Sequence, residues 1–168
     1  MGYLISIDTT LKLIQDFRKN DKNVVFTHGS FDLFHAGHSL FLNKSKREGE
    51  ILIVGLEPDS NIKKYKGRLR PIINQNHRAE ILINHKAVDF VFLNYKLNEM
   101  NDLYYIELYK LLKPNIITVG KGFPVKNRED LKLRYSTVRE MDAEVTSTTK
   151  IITAIINSHN VNSKSSNS

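Results

Sequence analysis

His35 and His38 stand three residues apart at the end of the run Thr27-His28-Gly29-Ser30-Phe31-Asp32-Leu33-Phe34-His35-Ala36-Gly37-His38. Residues at i and i+3 share one face of a helix, so two imidazoles at this spacing can reach a single point. The flanks make that point the start of a helix: Asn23-Val24-Val25-Phe26 reads as a short buried strand, and Ser39 to Lys46 as a helix leading away from it. A strand-to-helix turn aims free backbone N–H groups and the positive end of the helix dipole outward, which suits a phosphate. Gly37 lets a ligand approach the backbone. The chemistry on offer is the binding of a nucleotide phosphate.

The elements that must position this turn follow from the hydrophobic pattern. Asp8 can cap a first helix from Thr9 to about Lys19, with Leu11, Ile14 and Phe17 on one face. Ile51 to Leu56, Val88 to Leu93 and Ile116 to Gly120 are mostly apolar runs of strand length, as parallel strands covered on both faces require. Helical patterns lie between and after them: Asn76 to about His85, Asp102 to Leu112, and Glu129 to Met141 with Leu131, Tyr135 and Val138 on one stripe. Pro114 ends the second of these. The alternation predicts a single α/β domain, a Rossmann-like doubly wound parallel sheet with helices on both faces, over residues 1–156. Ligands bind beyond the carboxyl ends of such strands, where the HxGH turn falls. Residues 157–168 hold one apolar side chain in twelve, which predicts a disordered tail.

Gly29, Phe31, Asp32, His35, Gly37 and His38 match the HxGH signature of the cytidylyltransferase-like nucleotidyltransferases, and the chain resembles that superfamily from about Asp8 to Ile156. In the family a lysine-bearing loop after the second strand reaches the triphosphate, and Lys64 and Lys66 occupy the matching places. Arg78, at the head of the next helix, matches a phosphate-contacting arginine of relatives. Thr146-Ser147-Thr148-Thr149 resembles the Ser-Thr-Thr signature that opens the last helix, where hydroxyls can cap the helix and bind β- and γ-phosphates. Two departures stand out. Relatives carry Gly-x-Asp after the strand ending near Gly120, whereas Gly122 stands here in place of the acid. They also have a further strand and a glycine-bearing loop before Ser-Thr-Thr, whereas Ala143-Glu144-Val145 runs almost directly into Thr146, so the last strand reads as shortened and Val145 replaces the glycine.

The resemblance implies nucleotidyl transfer: an acceptor phosphate attacks the α-phosphorus of a nucleoside triphosphate and pyrophosphate leaves. The nucleophile is already an oxyanion, so catalysis is positioning plus charge stabilisation. His38 is expected on the α-phosphate and His35 on the triphosphate. Lys64 and Lys66 are expected to stabilise the moving charge. Ser147, Thr148 and Thr149 would hold the terminal phosphates, and Thr27, Gly29, Ser30, Phe31, Gly37, Arg78 and Gly120 complete the nucleotide site. Asp32 is expected to organise the turn through local N–H groups. Mg²⁺ is expected to arrive with the nucleotide. Phe-Thr-x-Gly before Phe-Asp, His-Ala-Gly-His, and Lys66-Gly67 followed by Arg70-Pro71 are most similar to the adenylyltransferase domain of bacterial ADP-heptose synthases. That favours ATP or CTP as donor and a sugar phosphate such as heptose 1-phosphate as acceptor. Glycerol-3-phosphate cytidylyltransferases share the HxGH and Ser-Thr-Thr elements and supply the alternative, as does a nucleotide-binding module that no longer turns over. Relatives are usually homodimers; Tyr104, Tyr105 and Tyr109 fit either an interface or the core.

Composition bounds what else the chain can be. At 168 residues and 40% hydrophobic content one domain is the expectation. With no cysteine there is no disulfide framework, thiolate metal site or cysteine nucleophile, and a reducing compartment follows. The absence of a leader pattern and of a spanning apolar run predicts a soluble cytoplasmic protein with no membrane partner. Net charge is +7, with five cations in the eight residues from Lys63 to Arg70, a cluster sized for triphosphate and too short for a nucleic-acid arm. His28, Asp32, His35 and His38 could together ligate a metal in a hydrolase; the phosphate reading instead assigns them no metal.

Overall fold

The computed structural model describes residues 1–93, 102–121, 136–143 and 145–165. Its strands are β1 (Tyr3–Leu4), β2 (Val24–Gly29), β3 (Ile51–Leu56), β4 (Phe90–Leu93), β5 (Ile116–Gly120) and β6 (Thr137–Met141). The helices are α1 (Ile7–Lys19), α2 (Ala36–Lys46), α3 (Asp59–Lys66), α4 (Gln75–Ile83), α5 (Asp102–Leu112) and, for the last, α6 (Thr148–Ser165). All strand pairs are parallel and the sheet order is β1-β4-β3-β2-β5-β6. The chain thus winds outward from β2 through β3 to β4, then returns to the other side of β2 for β5 and β6. The order reverses between β2 and β5, and a crevice at their carboxyl ends is the expected ligand position.

Alternation along each strand divides the apolar side chains between two faces. Val24, Phe26, Ile53, Phe92 and Ile117 pack with Ile14 of α1 and Tyr109 and Leu112 of α5. Val25, Leu52, Val54 and Val91 pack with Leu42 of α2 and Ala79 and Leu82 of α4. Tyr104 and Tyr109 are buried and belong to the core. Two buried hydroxyls tie the layers where an apolar residue would leave carbonyls and hydroxyls unmet: Thr27 donates to the Thr118 carbonyl at 2.9 Å, and Thr118 to Ser45 at 2.8 Å. Among the described residues no helix is long and apolar enough to cross a membrane.

Several expectations are corrected. The N-cap of α1 is Ser6, whose hydroxyl accepts the Thr9 N–H, so α1 begins two residues earlier than expected. The expected helix over Glu129 to Met141 is contradicted in its second half: Thr137 to Met141 form β6, paired residue for residue with Ile116 to Gly120, while residues 129–135 lie outside the described residues. The last strand is therefore present and of ordinary length, only placed before Ala143. Lys64 and Lys66 lie in the last turn of helix α3, which ends where Gly67 adopts a left-handed φ of 91°. Helix α6 continues to Ser165, so residues 157–165 are helical and not a disordered tail.

Candidate active site

The turn between β2 and α2 is strained and held. Phe31 and Leu33 adopt positive φ values of 47° and 46°, a conformation that costs non-glycine residues energy and persists only where neighbours enforce it. Asp32, between them, is fully buried. Its carboxylate accepts the N–H groups of Ile72 and Ile73 at 3.0 Å and pairs with Arg70 Nε at 2.7 Å. Burial pushes that carboxyl up, but the two N–H bonds and Arg70 outweigh it and hold the group below its usual value. Asp32 does organise the turn, through the segment after α3 and not through local N–H groups. Thr148 Oγ1 donates to the Asp32 carbonyl at 2.8 Å and so fastens the start of α6 to the same turn.

Beyond the turn, His35 is the N-cap of α2: its Nδ1 faces the His38 N–H at 3.4 Å, and the two rings stack with centroids 3.8 Å apart. His38 is packed by Phe31 and Phe34, and its Nδ1 is buried with no hydrogen-bond partner among the described residues. Burial, then the neighbouring His35 and Lys66, push the His38 imidazole down to about 4. Burial also lowers His35. Both rings are therefore neutral at pH 7 and offer N–H donors without a fixed charge. A Cβ on Gly37 would stand 3.0 Å from His35 Cε1 and 3.2 Å from the Ala143 carbonyl, so glycine here makes room for the His35 ring and the loop after β6.

These residues line a cleft of about 720 Å³ across the carboxyl ends of the strands. Of the expected site residues it contains Gly29, Ser30, Phe31, His35, Gly37, His38, Lys66, Gly120, Ser147, Thr148 and Thr149. Lys66 reaches over β2 to donate to Ser30 Oγ at 3.1 Å, and burial lowers its ammonium from the ordinary value. Ser147 caps α6, its Oγ accepting the Lys150 N–H at 3.3 Å. Two helix N-termini, those of α2 and α6, therefore meet one cleft.

Four expected residues are absent from its lining. Thr27 is a bridge from β2 to β5 inside the core. Asp32 faces the 70s segment, as described. Lys64 is not among the residues that line the cleft. Arg78 is fully buried, and the expected phosphate contact is corrected: its guanidinium donates to the carbonyls of Ser30, Ile73 and Glu57 and pairs with Asp59 at 2.6 Å. An arginine so engaged fixes the loops around the cleft and has no accessible face for a ligand. The four side chains considered as metal ligands are also divided, since His28 Nε2 bonds Tyr109 Oη at 2.6 Å and Asp32 bonds the 70s segment. Gly122 lies outside the described residues.

The motifs gave no sign of a second wall. Glu57, just past β3, accepts the hydroxyl of Tyr105 at 2.7 Å and that of Tyr65, and all three line the cleft with His28 and Arg70. His28 stacks on Tyr105 at 4.0 Å, and burial pushes its imidazole down to about 3.

A parallel sheet of this order, with a cleft at the switch point of strands β2 and β5, is the arrangement in which α/β proteins hold their ligands. The Cytidylyltransferase-like family model matches residues 26–160, and the chain belongs to that family. It is 36% identical over 149 residues to the Bifunctional protein HldE of Helicobacter pylori (strain J99), covering 89% of this chain and 31% of that protein. The chain thus spans about a third of the length of that curated relative. Among solved structures it is similar to the lipopolysaccharide core biosynthesis protein from Thermoplasma volcanium, with a TM-score of 0.59 and 25% identity over 73% of this chain and 98% of that one. A pantoate-beta-alanine ligase from Francisella tularensis, 15% identical with a TM-score of 0.57 over 86% of this chain and 69% of that one, shares the fold.

Proposed function

We propose that this protein transfers the nucleotidyl group of a magnesium–nucleoside triphosphate, ATP or CTP, to a sugar phosphate such as heptose 1-phosphate, releasing pyrophosphate. The observation that carries the reading is the convergence of the α2 and α6 N-termini on one cleft, with His35 and His38 at the first and Ser147 to Thr149 at the second. In this scheme the α-phosphate lies at the α2 start, where the neutral His38 imidazole and backbone N–H groups stabilise charge on the trigonal-bipyramidal phosphorus. The leaving pyrophosphate lies at the α6 start, where Ser147 and Thr149 can donate and the helix dipole favours the anion. Lys66 meets the charge as it moves. The acceptor phosphate oxygen forms the new P–O bond as the α–β bridging bond breaks, and no general base is needed. Magnesium belongs to the substrate, carried on phosphate oxygens and water.

The heptose acceptor is supported by relatives named HldE, by the neighbour described as a lipopolysaccharide core biosynthesis protein, and by the motif resemblance to ADP-heptose synthase. The alternative acceptor is glycerol 3-phosphate with CTP. Pyrophosphate release with ATP, CTP, GTP and UTP, each crossed with heptose 1-phosphate, glycerol 3-phosphate and FMN, tests both. Release with a nucleotide and heptose 1-phosphate is the expected result. Triphosphate binding with no release in any pairing would overturn it in favour of a binding module.

A further inference from the structure

The cleft joins an apolar lining to several groups that suit anions. His35, Lys66, Arg70, Lys121 and two helix N-termini face it, yet Glu57 brings the only carboxylate among its lining residues. Among the described residues no cation lies within ion-pair distance of Glu57, although Lys66 and Arg78 act on it from further away. Instead it takes one hydroxyl from Tyr105 and one from Tyr65. A carboxylate has about four acceptor sites, so these two bonds leave roughly half for a ligand. A free carboxylate acceptor repels phosphate and attracts hydroxyl or amino donors.

Its place decides what those donors belong to. The cleft is lined by Glu57 at the carboxyl end of β3, by the histidines beside β2 and by Gly120 and Lys121 at the end of β5, and the α6 start is held to the β2–α2 turn by the Thr148–Asp32 bond. In-line displacement puts the attacking and leaving oxygens on opposite sides of phosphorus. The acceptor is assigned the β3 end, where Glu57 stands, with Gly120 and Lys121 at the β5 end left to the nucleotide. We propose that Glu57 reads the hydroxyl groups of a polyhydroxylated phosphate acceptor, and that Tyr65 and Tyr105 are positioning residues that hold its carboxylate. Tyr105 is itself fixed by the stacked His28 ring, which Tyr109 anchors. Tyr105 and His28 also line the cleft beside Glu57. The inference rests on the nucleotidyl-transfer reading above.

The test compares wild type with Glu57→Gln and Tyr105→Phe, using heptose 1-phosphate and, as an acceptor without hydroxyls, methyl phosphate. Turnover is followed by pyrophosphate release, acceptor binding by calorimetry, and folding by thermal denaturation. Glu57→Gln is expected to weaken heptose 1-phosphate by about tenfold in KM and Kd, the worth of a charge-assisted hydrogen bond. The triphosphate KM should stay within about twofold, and the preference for heptose 1-phosphate over methyl phosphate should shrink by the same tenfold. Tyr105→Phe should move acceptor KM in the same direction with kcat little changed. An unchanged acceptor KM in folded Glu57→Gln overturns the inference and leaves nucleotidyl transfer standing. A shift in triphosphate KM instead overturns it in favour of a base-reading role. If wild type binds heptose 1-phosphate without turnover and Glu57→Gln weakens that binding, the transfer reading falls and the hydroxyl subsite stands. If wild type neither binds nor turns over heptose 1-phosphate, both fall.

Discussion

The imidazoles of His35 and His38 lie stacked at 3.8 Å with their planes 19° apart, and burial lowers both below the ordinary histidine value. Two stacked rings cannot both carry charge cheaply, so the pair is neutral at pH 7, and in the proposed transfer it would donate hydrogen bonds to charge that develops on phosphate. His38→Ala is therefore expected to cut kcat by about 10²- to 10³-fold, the usual loss when one preorganised donor to a transition state is removed. Triphosphate Kd should change only a few-fold. Steady-state pyrophosphate release beside calorimetric binding checks this; an equal loss in both would assign His38 to ground-state binding.

The same burial makes stability depend on pH. A histidine lowered in the folded state is neutral there while its unfolded counterpart takes up a proton below about 6.5, so stability falls as pH drops through that value. For His38 the loss continues down to about 4 and for His28 to about 3. Asp32, held low, adds nothing to this slope above its ordinary 3.8. Glu57, raised by burial, acts oppositely: its contribution weakens as pH rises above 4.5. The urea midpoint should fall from pH 7.5 to pH 5, and His28→Phe should flatten the fall. A midpoint flat across that range would contradict the buried, neutral histidines.

Arg78 predicts a stability effect where its sequence position suggested a substrate effect. Removing it leaves Asp59 and three loop carbonyls without a donor, which should cost about 3–5 kcal/mol in Arg78→Met. Arg78→Lys should fail to restore stability, because an ammonium cannot span the same forked set of acceptors. Denaturant melts measure both. Normal stability with a raised triphosphate KM would return Arg78 to the phosphates.

Gly37→Ala tests the room left for His35. The added Cβ would stand 3.0 Å from the ring and 3.2 Å from the Ala143 carbonyl, so the ring must shift. A displaced donor predicts a kcat loss of about tenfold or more with little change in melting temperature. Full activity would show that the ring position is not critical.

How much of this was legible in the sequence varied with how local the signal was. The HxGH turn could be read because its residues are consecutive and each has a separate chemical use. Glu57, Tyr65 and Tyr105 could not, since they meet only after β3, α3 and α5 have packed. Arg78 at a helix head reads alike whether it faces solvent or the interior; only the burial of α4 against the 70s segment decides. Strand β6 was misread as helix because Leu131, Tyr135 and Val138 keep a helical spacing. As an edge strand of mostly exposed residues, β6 owes its form to pairing with β5 and not to an apolar run. Chain winding was legible because the buried strands are mostly apolar runs, which parallel sheets demand.

The central claim is that the cleft moves a nucleotidyl group and not a terminal phosphoryl group. Incubation of the protein with magnesium and ATP labelled at the α-phosphate, with heptose 1-phosphate as acceptor, tests it most directly. The account predicts that the label appears in the sugar product while label at the γ-phosphate leaves in pyrophosphate. An α-label that stays in ADP, with γ-label in free phosphate or on the sugar, would contradict it.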